Sequence, residues 1–191
     1  MKKIQLGDLV TFQVGFPQFR VKERPNGHCY KIYNQLDLED DLAGVSHKER
    51  ESKELTTTDP LTQLRNGDLV FSLISGTAAI VSKEHEGYFY TQNYVVLEPS
   101  KELDRNFLLY LLNEDKIVKR QFLIGLQGSA VLKYTVKQLR ELQLPRLESL
   151  ERQRLIGAIY RKQEEVKALK TRQAEREYIL RMGELEEVRK V

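Results

Sequence analysis

Residues 148–190 read ESLERQRLIGAIYRKQEEVKALKTRQAEREYILRMGELEEVRK, and this stretch decides the architecture of the chain. It contains no proline, and its only glycines are Gly157 and Gly183. Nearly all of its other residues are good helix formers, so the stretch predicts one continuous helix from Glu148 to Lys190. At ~1.5 Å per residue, roughly 40 residues would span about 60 Å.

The apolar residues of this helix form a narrow stripe on a heavily charged surface. Its first members, spaced three or four residues apart, are Ile156, Ile159, Val166 and Leu169. With a slipped phase, the pattern continues at Ala174, Tyr178, Leu185 and Val188. Such a narrow stripe is typical of a helix that packs against one partner helix. The rest of the sequence has no helical pattern of comparable length, so we expect the partner to come from another molecule.

The part of the chain before this helix alternates short β-prone runs with turns. Runs rich in valine, isoleucine, phenylalanine and tyrosine follow Gly-Asp, Ser-Gly and Glu-Gly turns, a pattern that predicts strands. The predicted strands are residues 9–14, 29–32, 69–74, 78–82, 88–97 and 142–144. Residues 15–28 predict a loop, and the acidic residues 37–59 predict a surface excursion with short helical turns at most.

Two shorter helices are predicted from apolar spacing and from capping residues. One covers residues 104–121 with Asp104 as its N-cap, and the other covers residues 135–141 with Thr135 as its cap. The chain is 191 residues long and 40% hydrophobic, enough for one full domain with an appended element. We therefore predict an α+β fold.

The predicted division is a globular domain with a mixed, mostly antiparallel sheet over residues 1–146 and the long helix over residues 147–191. Cys29 is the only cysteine, so no disulfide can form within the chain. The first residues lack the apolar run of a signal peptide, and no stretch is apolar enough to span a membrane. These features predict a soluble, cytoplasmic protein.

Charge is distributed unevenly along the chain, although the formal net charge is only +3. Residues 37–59 contain eight acidic residues and three basic ones. Residues 17–31 contain four basic residues and one acidic residue, namely Arg20, Lys22, Arg24, Lys31 and Glu23. A local basic surface can attract phosphates even when the total charge is small.

Sequence patterns of catalysis are mostly missing. There is no G-x-G-x-x-G or Walker A loop. His28, His47 and His85 lie far apart without partners at metal-ligand spacing, so we expect no cofactor, no metal and no catalytic residue. One alternative stays open, because Glu51 and Lys53 have the E-x-K spacing of metal-dependent nucleases, with aspartates upstream.

The residue types of the basic loop favour binding of double-stranded DNA. Arginine suits guanine edges, asparagine and glutamine suit adenine edges, and lysine suits phosphates. The candidate contacts in this loop are Gln18, Arg20, Lys22, Arg24, Asn26, Tyr30 and Lys31. Small and polar residues elsewhere could approach the DNA backbone, and these are Thr77, Gln127, Ser129 and Lys133.

From Leu64 onward the chain resembles half of a type I restriction-modification specificity subunit. The matching segments occur in the family's order and cover about two thirds of the chain. They are residues 67–72 (GDLVFS), 75–77 (SGT), 91–97 (TQNYVVL), 103–112 (LDRNFLLYLL), 127–129 (QGS), 139–145 (LRELQLP) and 151–156 (ERQRLI). The last segment is similar to the E-x-Q-x-x-I start of the family's long helix.

The resemblance implies a target-recognition domain that reads one half of a bipartite DNA site, followed by a spacer helix. It also implies two partners, a modification subunit that methylates adenine and a restriction subunit that translocates and cuts. The usual subunit has two recognition domains and two spacer helices, whereas this sequence has one of each. A homodimer with antiparallel C-terminal helices would restore the usual arrangement and would read a palindromic bipartite site.

The helix residues expected in this dimer contact are Ile156, Ile159, Val166, Leu169, Tyr178 and Leu185. An alternative to the specificity subunit is a non-catalytic scaffold or adaptor that docks a partner through the long helix. Salt-dependent binding of duplex DNA distinguishes the two.

Overall fold

The computed structural model of the chain describes residues 4–45, 52–126 and 133–190. Its strands are β1 (Val10–Val14), β2 (His28–Lys31), β3 (Glu54–Thr57), β4 (Leu69–Ser72), β5 (Ala78–Ile80) and β6 (Tyr94–Pro99). Its helices are α1 (Leu6–Leu9), α2 (Gln35–Ala43), α3 (Arg105–Glu114), α4 (Lys116–Leu126), α5 (Val136–Glu141) and α6 (Leu150–Arg189). The predicted α+β class is confirmed.

Within the described residues, the strands form one four-stranded antiparallel sheet and one two-stranded antiparallel sheet. The larger sheet has the order β1-β6-β4-β5, and the smaller one pairs β2 with β3. Phe89, in the segment before β6, holds the chain at the end of β2, because its N–H donates to Lys31 O and its carbonyl accepts from Tyr33 N, both at 2.8 Å.

Helices cover both faces of the larger sheet. Along β4, Leu69 and Phe71 belong to the core shared with α3, α4 and α5, whereas Val70 belongs to a second core with Leu38 of α2. Successive side chains of a strand point to opposite faces, which explains this alternation. The strand has no exposed face, so it reads as a continuous apolar run in the sequence.

The long helix is confirmed as one continuous element, α6. Its first three turns pack across α3, with Gln153, Gly157 and Tyr160 buried. It then runs beside α2 as far as Glu175, and every described residue from Gln173 onward is exposed. The first part of the helix therefore packs on the domain, and its C-terminal part projects from it. None of the described helices is long and apolar enough to cross a membrane.

Two sequence predictions about helices were wrong. The nine-residue helix α2 begins just before the acidic excursion and includes its first residues, and Asn34 caps this helix by accepting from Leu36 N at 2.8 Å. The helix predicted over residues 104–121 is two helices, because Asp115 has an extended backbone and its side chain accepts from Val118 N at 3.0 Å to start α4. The predicted caps Asp104 and Thr135 are confirmed.

Strand boundaries also differ from those predicted. The first strand begins at Val10 after the helical turn of α1, and the strand predicted from residue 88 begins only at Tyr94. Residues 142–144 contribute a single bridge, between Gln143 and Gln5, rather than a strand. The chain segment before Tyr94 bends instead to hold the smaller sheet.

Candidate nucleic-acid interface

One end of the larger sheet gathers several loops that carry candidate contacts. The antiparallel register places Val14 opposite Val95, and Ser72 opposite Tyr94. The loop that follows β1 therefore starts beside the turns that end β4 and precede β6. Tyr134 joins them, because its N–H donates to Leu73 O at 2.9 Å.

The basic loop, residues 17–31, ends in strand β2 and is held in place by its backbone. Thr57 Oγ1 donates to Lys22 O at 2.8 Å, and Arg24 N donates to Thr56 O at 2.8 Å. Asp59 accepts from Lys22 N at 3.4 Å. Because β3 and the residues after it hold the main chain, the side chains of the loop are left free to face solvent.

The predicted contacts of this loop lie on the surface. Tyr30 is half-buried, and the exposed candidates are Gln18, Arg20, Lys22, Arg24, Asn26 and Lys31. Lys31 Nζ lies 5.7 Å from the centroid of the Tyr88 ring, a cation–π arrangement that orients this lysine. The hydrogen-bond donors of the loop therefore face solvent and do not pack against the domain.

The remaining predicted contacts fall in different places. Lys133 is exposed and donates to Asn93 Oδ1 at 3.1 Å, so it lies at the same end of the sheet. Thr77 precedes β5, which is three strands away from β1, or about 14 Å at the usual strand spacing. It lines a cavity of about 400 Å³ with residues of α3, α4 and α6. Gln127 and Ser129 lie outside the described residues.

The sequence reasoning missed the aromatic residue at the tip of the loop. Phe19 lies between Gln18 and Arg20 in a single 3-10 turn and is 76% exposed. The available signal was a single apolar residue in a stretch rich in basic residues and prolines, because such a stretch has no apolar neighbours that could bury it.

The predicted helix contacts separate into two groups. Ile156 packs against the domain core. The other five are exposed, namely Ile159, Val166, Leu169, Tyr178 and Leu185. Leu155 and Met182 are also exposed but were not among the predicted contacts.

A buried polar cluster, made by Tyr33, Asp37, Asp41 and His85, supports the second core. Asp41 Oδ1 lies 2.8 Å from His85 Nδ1, and Asp41 Oδ2 accepts from Tyr33 OH at 2.7 Å. Burial lowers the pKa of the His85 imidazole, but the hydrogen bond to Asp41 and the charges of Asp41 and Asp37 outweigh burial and raise the pKa above its ordinary 6.5. Burial, with the charge of Asp41, raises the pKa of Tyr33 well above 10.0.

The nuclease alternative has little geometric support. Among the described residues, no group of three or more histidine, cysteine, aspartate and glutamate side chains could hold a metal ion. Lys53 is exposed just before β3, and Glu51 lies outside the described residues. Asp37 and Asp41 belong to the buried polar cluster.

The model of one protein family matches residues 1–175, and its description is "Type I restriction modification DNA specificity domain". The chain belongs to this family. The match includes both the α+β domain and the part of α6 that packs on it. No curated protein sequence matches the chain.

Solved structures agree with this family's fold. The HsdS subunit from Thermoanaerobacter tengcongensis is 21% identical with a TM-score of 0.57, and the match covers 91% of this chain and 39% of that one. A chain from a structure of the type I R-M system, solved for its assembly and conformational transition, is 24% identical with a TM-score of 0.62 and coverages of 95% and 43%. The S subunit from M. genitalium is 17% identical with a TM-score of 0.50 and coverages of 83% and 37%. The chain spans about two fifths of the length of these structures.

Proposed function

We propose that this domain reads one half of a bipartite DNA site as the non-catalytic specificity component of a type I restriction-modification complex. The observation that carries the proposal is the basic loop, whose main chain is fixed on β3 while its arginine, lysine, glutamine and asparagine side chains face solvent. A fixed row of donors matches the regularly spaced phosphates and base edges of a duplex. In this proposal the protein acts in the cytoplasm.

The partners in this proposal are an adenine-methylating modification subunit and a restriction subunit. Family membership supports both, because a specificity domain supplies sequence reading to a complex whose chemistry is done elsewhere. Co-purification of the full chain with the methyltransferase tests the first partner. If the chain binds duplex DNA without any salt dependence, or does not bind it at all, the adaptor alternative is favoured.

Arg24→Ala is expected to weaken binding to the preferred duplex about five- to 150-fold, because a base-contacting arginine contributes roughly 1–3 kcal/mol of discrimination. Binding to a scrambled duplex should change much less. The measurement is a titration by fluorescence anisotropy at two salt concentrations. Lys170→Ala is the matched control, since Lys170 is an exposed basic residue on α6, away from the basic loop. Equal losses on both duplexes would reduce Arg24 to a phosphate contact.

The proposal includes a homodimer through α6. With about 3.6 residues per turn, Leu155, Ile159, Val166 and Leu169 lie on the side of α6 opposite to the buried Gln153, Gly157 and Tyr160. The domain thus covers one face of the helix and leaves an apolar stripe on the other. The projecting half of α6 carries a second apolar set, which includes Tyr178, Met182 and Leu185.

The second set lies on the other side of α6, because at about 3.6 residues per turn it falls on the side that carries the buried residues. One straight partner helix therefore cannot contact both sets. The stripe can pair with itself, since its four members are four, seven and three residues apart and have nearly the same spacing in reverse. An antiparallel pair of α6 helices would place Leu155 of one copy beside Leu169 of the other, and Ile159 beside Val166.

The expected result is a dimer by sedimentation equilibrium at micromolar concentration. In a Cys29→Ser background, Leu155→Cys combined with Leu169→Cys should form intermolecular disulfides under mild oxidation. Leu155→Cys alone is the control and should stay uncrosslinked, because in the antiparallel pair Leu155 does not meet its own copy. A monomeric mass, or crosslinking by the single variant, would contradict the antiparallel dimer.

A further inference from the structure

The tip of the basic loop exposes an aromatic side chain to solvent. Phe19 is 76% exposed, the highest value among the large hydrophobic side chains of the described residues. The Cζ atom of Arg20 lies 5.6 Å from the centroid of the Phe19 ring. The tip therefore combines a flat apolar surface with a cation.

Backbone hydrogen bonds on both sides of Phe19 fix the tip. They are Phe16 N to Tyr90 O at 3.2 Å, Gln92 N to Phe16 O at 3.1 Å, Arg20 N to Pro17 O at 3.0 Å and Val21 N to Gln18 O at 3.0 Å. Gly15 lies so close to the Thr91 carbonyl that a side chain at residue 15 would collide with it. The main chain that carries Phe19 is therefore held in place on both sides.

The chemistry of the tip selects among possible partners. An acidic protein surface would pair with Arg20, Lys22 and Arg24 but would leave the ring in water. An apolar surface would cover the ring but would bury these cations without partners. Duplex DNA offers phosphates for the cations and flat base faces for the ring. Glu23 is the one acidic residue within the loop, and Asp59 and Glu54 lie beside it, at Lys22 N and Cys29 Sγ.

We propose that Phe19 is a wedge that inserts between two adjacent base pairs of the half site, with Gln18 and Arg20 contacting base edges on either side. This inference rests on the proposed DNA-reading function. Insertion unstacks one base step and bends the duplex, and pyrimidine–purine steps yield most easily. The preferred half site should therefore contain such a step at a fixed position, read through its deformability.

The test begins with selection of a preferred duplex by the full chain from a random 40-bp library. 2-Aminopurine is then placed at successive positions of that duplex. Wild-type protein should raise the fluorescence at one step several-fold, because unstacking relieves quenching. Phe19→Ala should abolish this rise and bind about tenfold more weakly, the loss expected for one aromatic–base contact. Ile117→Ala is the matched control, since Ile117 is exposed on α4, and it should behave as wild type.

The outcomes separate the wedge from the proposed function. If the wild-type chain neither selects nor binds a duplex, DNA reading and the wedge both fail. If it binds with Arg24-dependent specificity, but no position brightens and Phe19→Ala binds equally well, only the wedge fails. If replacing thymine by uracil weakens wild-type binding, leaves Phe19→Ala unchanged and causes no brightening, the ring touches a thymine methyl group in the groove, which also overturns insertion.

Discussion

Gly157→Leu is expected to lower the free energy of unfolding by about 3 kcal/mol or more, because it adds a side chain where two helices meet without space between them. A Cβ atom at Gly157 would lie 2.6 Å from the main-chain nitrogen of Phe107 and 2.6 Å from the carbonyl carbon of Asn106. These are backbone atoms of α3, so they cannot move aside as a flexible side chain could.

The loss should extend beyond the clash itself, because polar contacts depend on the same close approach. Gln153 Oε1 accepts from Asp104 N at 2.9 Å, and Asn113 Nδ2 donates to Tyr160 OH at 3.1 Å. Both contacts are buried or part-buried, so separating the helices leaves polar groups without partners. Thermal unfolding followed by circular dichroism should show a decrease in Tm of about 10 °C for a chain of this size.

The same helix supplies the control for this prediction. Gly183 has no atom within 4 Å of its would-be Cβ, so Gly183→Ala should stabilise α6 by about 0.5–1 kcal/mol through helix propensity alone. Gly157→Ala should destabilise the protein despite the same gain in propensity. If both alanine variants raised Tm equally, α6 would not pack on α3 as described.

The sequence predicted the elements whose signals are local. Helix α6 needed only the absence of proline and a run of helix formers, and the caps Asp104 and Thr135 needed only their neighbours along the chain. Family membership was likewise carried by short ordered segments. The local sequence could not show which apolar residues of α6 are buried. Ile156 packs on the domain core and Ile159 does not, because burial depends on which face of α6 contacts α3.

Helix α2 was missed because its burial does not follow hydrophobicity. Leu38 is fully buried, but so is the charged Asp41, which finds its partners far along the chain. Hydrophobic periodicity, which considers only apolar residues, does not reveal a helix whose buried residues include charged ones. Phe19 was missed because it is an apolar residue that is exposed, and a single exposed aromatic residue belongs to no sequence pattern.

Asp41→Ala is expected to lower the free energy of unfolding by about 3–5 kcal/mol, since removing one member of a buried charged pair leaves the others unpaired. The side chain of Asp41 is bonded to Tyr33 OH, to His85 Nδ1 and, at 2.9 Å, to Ser82 N. Urea denaturation measures the loss. Glu39→Ala is the matched control on the same helix, because Glu39 is exposed, and it should change stability by less than about 0.5 kcal/mol.

The pH dependence of stability tests the electrostatic part of this prediction. Because the pKa of folded His85 is raised above the unfolded value of about 6.5, the folded state binds its proton more tightly. Its stabilisation is complete below pH 6.5 and is lost as the pH rises through the folded pKa. Burial also raises the pKa of Asp37 above 3.8, despite the N–H of Asn34 and the charge of His85, so its contribution likewise decreases as the pH rises through that raised pKa.

Wild-type protein should therefore become less stable as the pH rises from about 6.5 through the raised pKa of His85. In Asp41→Ala the main partner of His85 is gone, and the charges of Asp37 and Asp40 alone oppose the effect of burial on the pKa of the imidazole, so the slope should flatten. Asp41→Asn keeps a hydrogen-bond acceptor without the charge. It should therefore be more stable than Asp41→Ala, but its pH slope should be as flat as that of Asp41→Ala. A wild-type slope that survives in both variants would assign it to groups other than the His85–Asp41 pair and would leave this pair without an electrostatic role in holding α2 to the sheet.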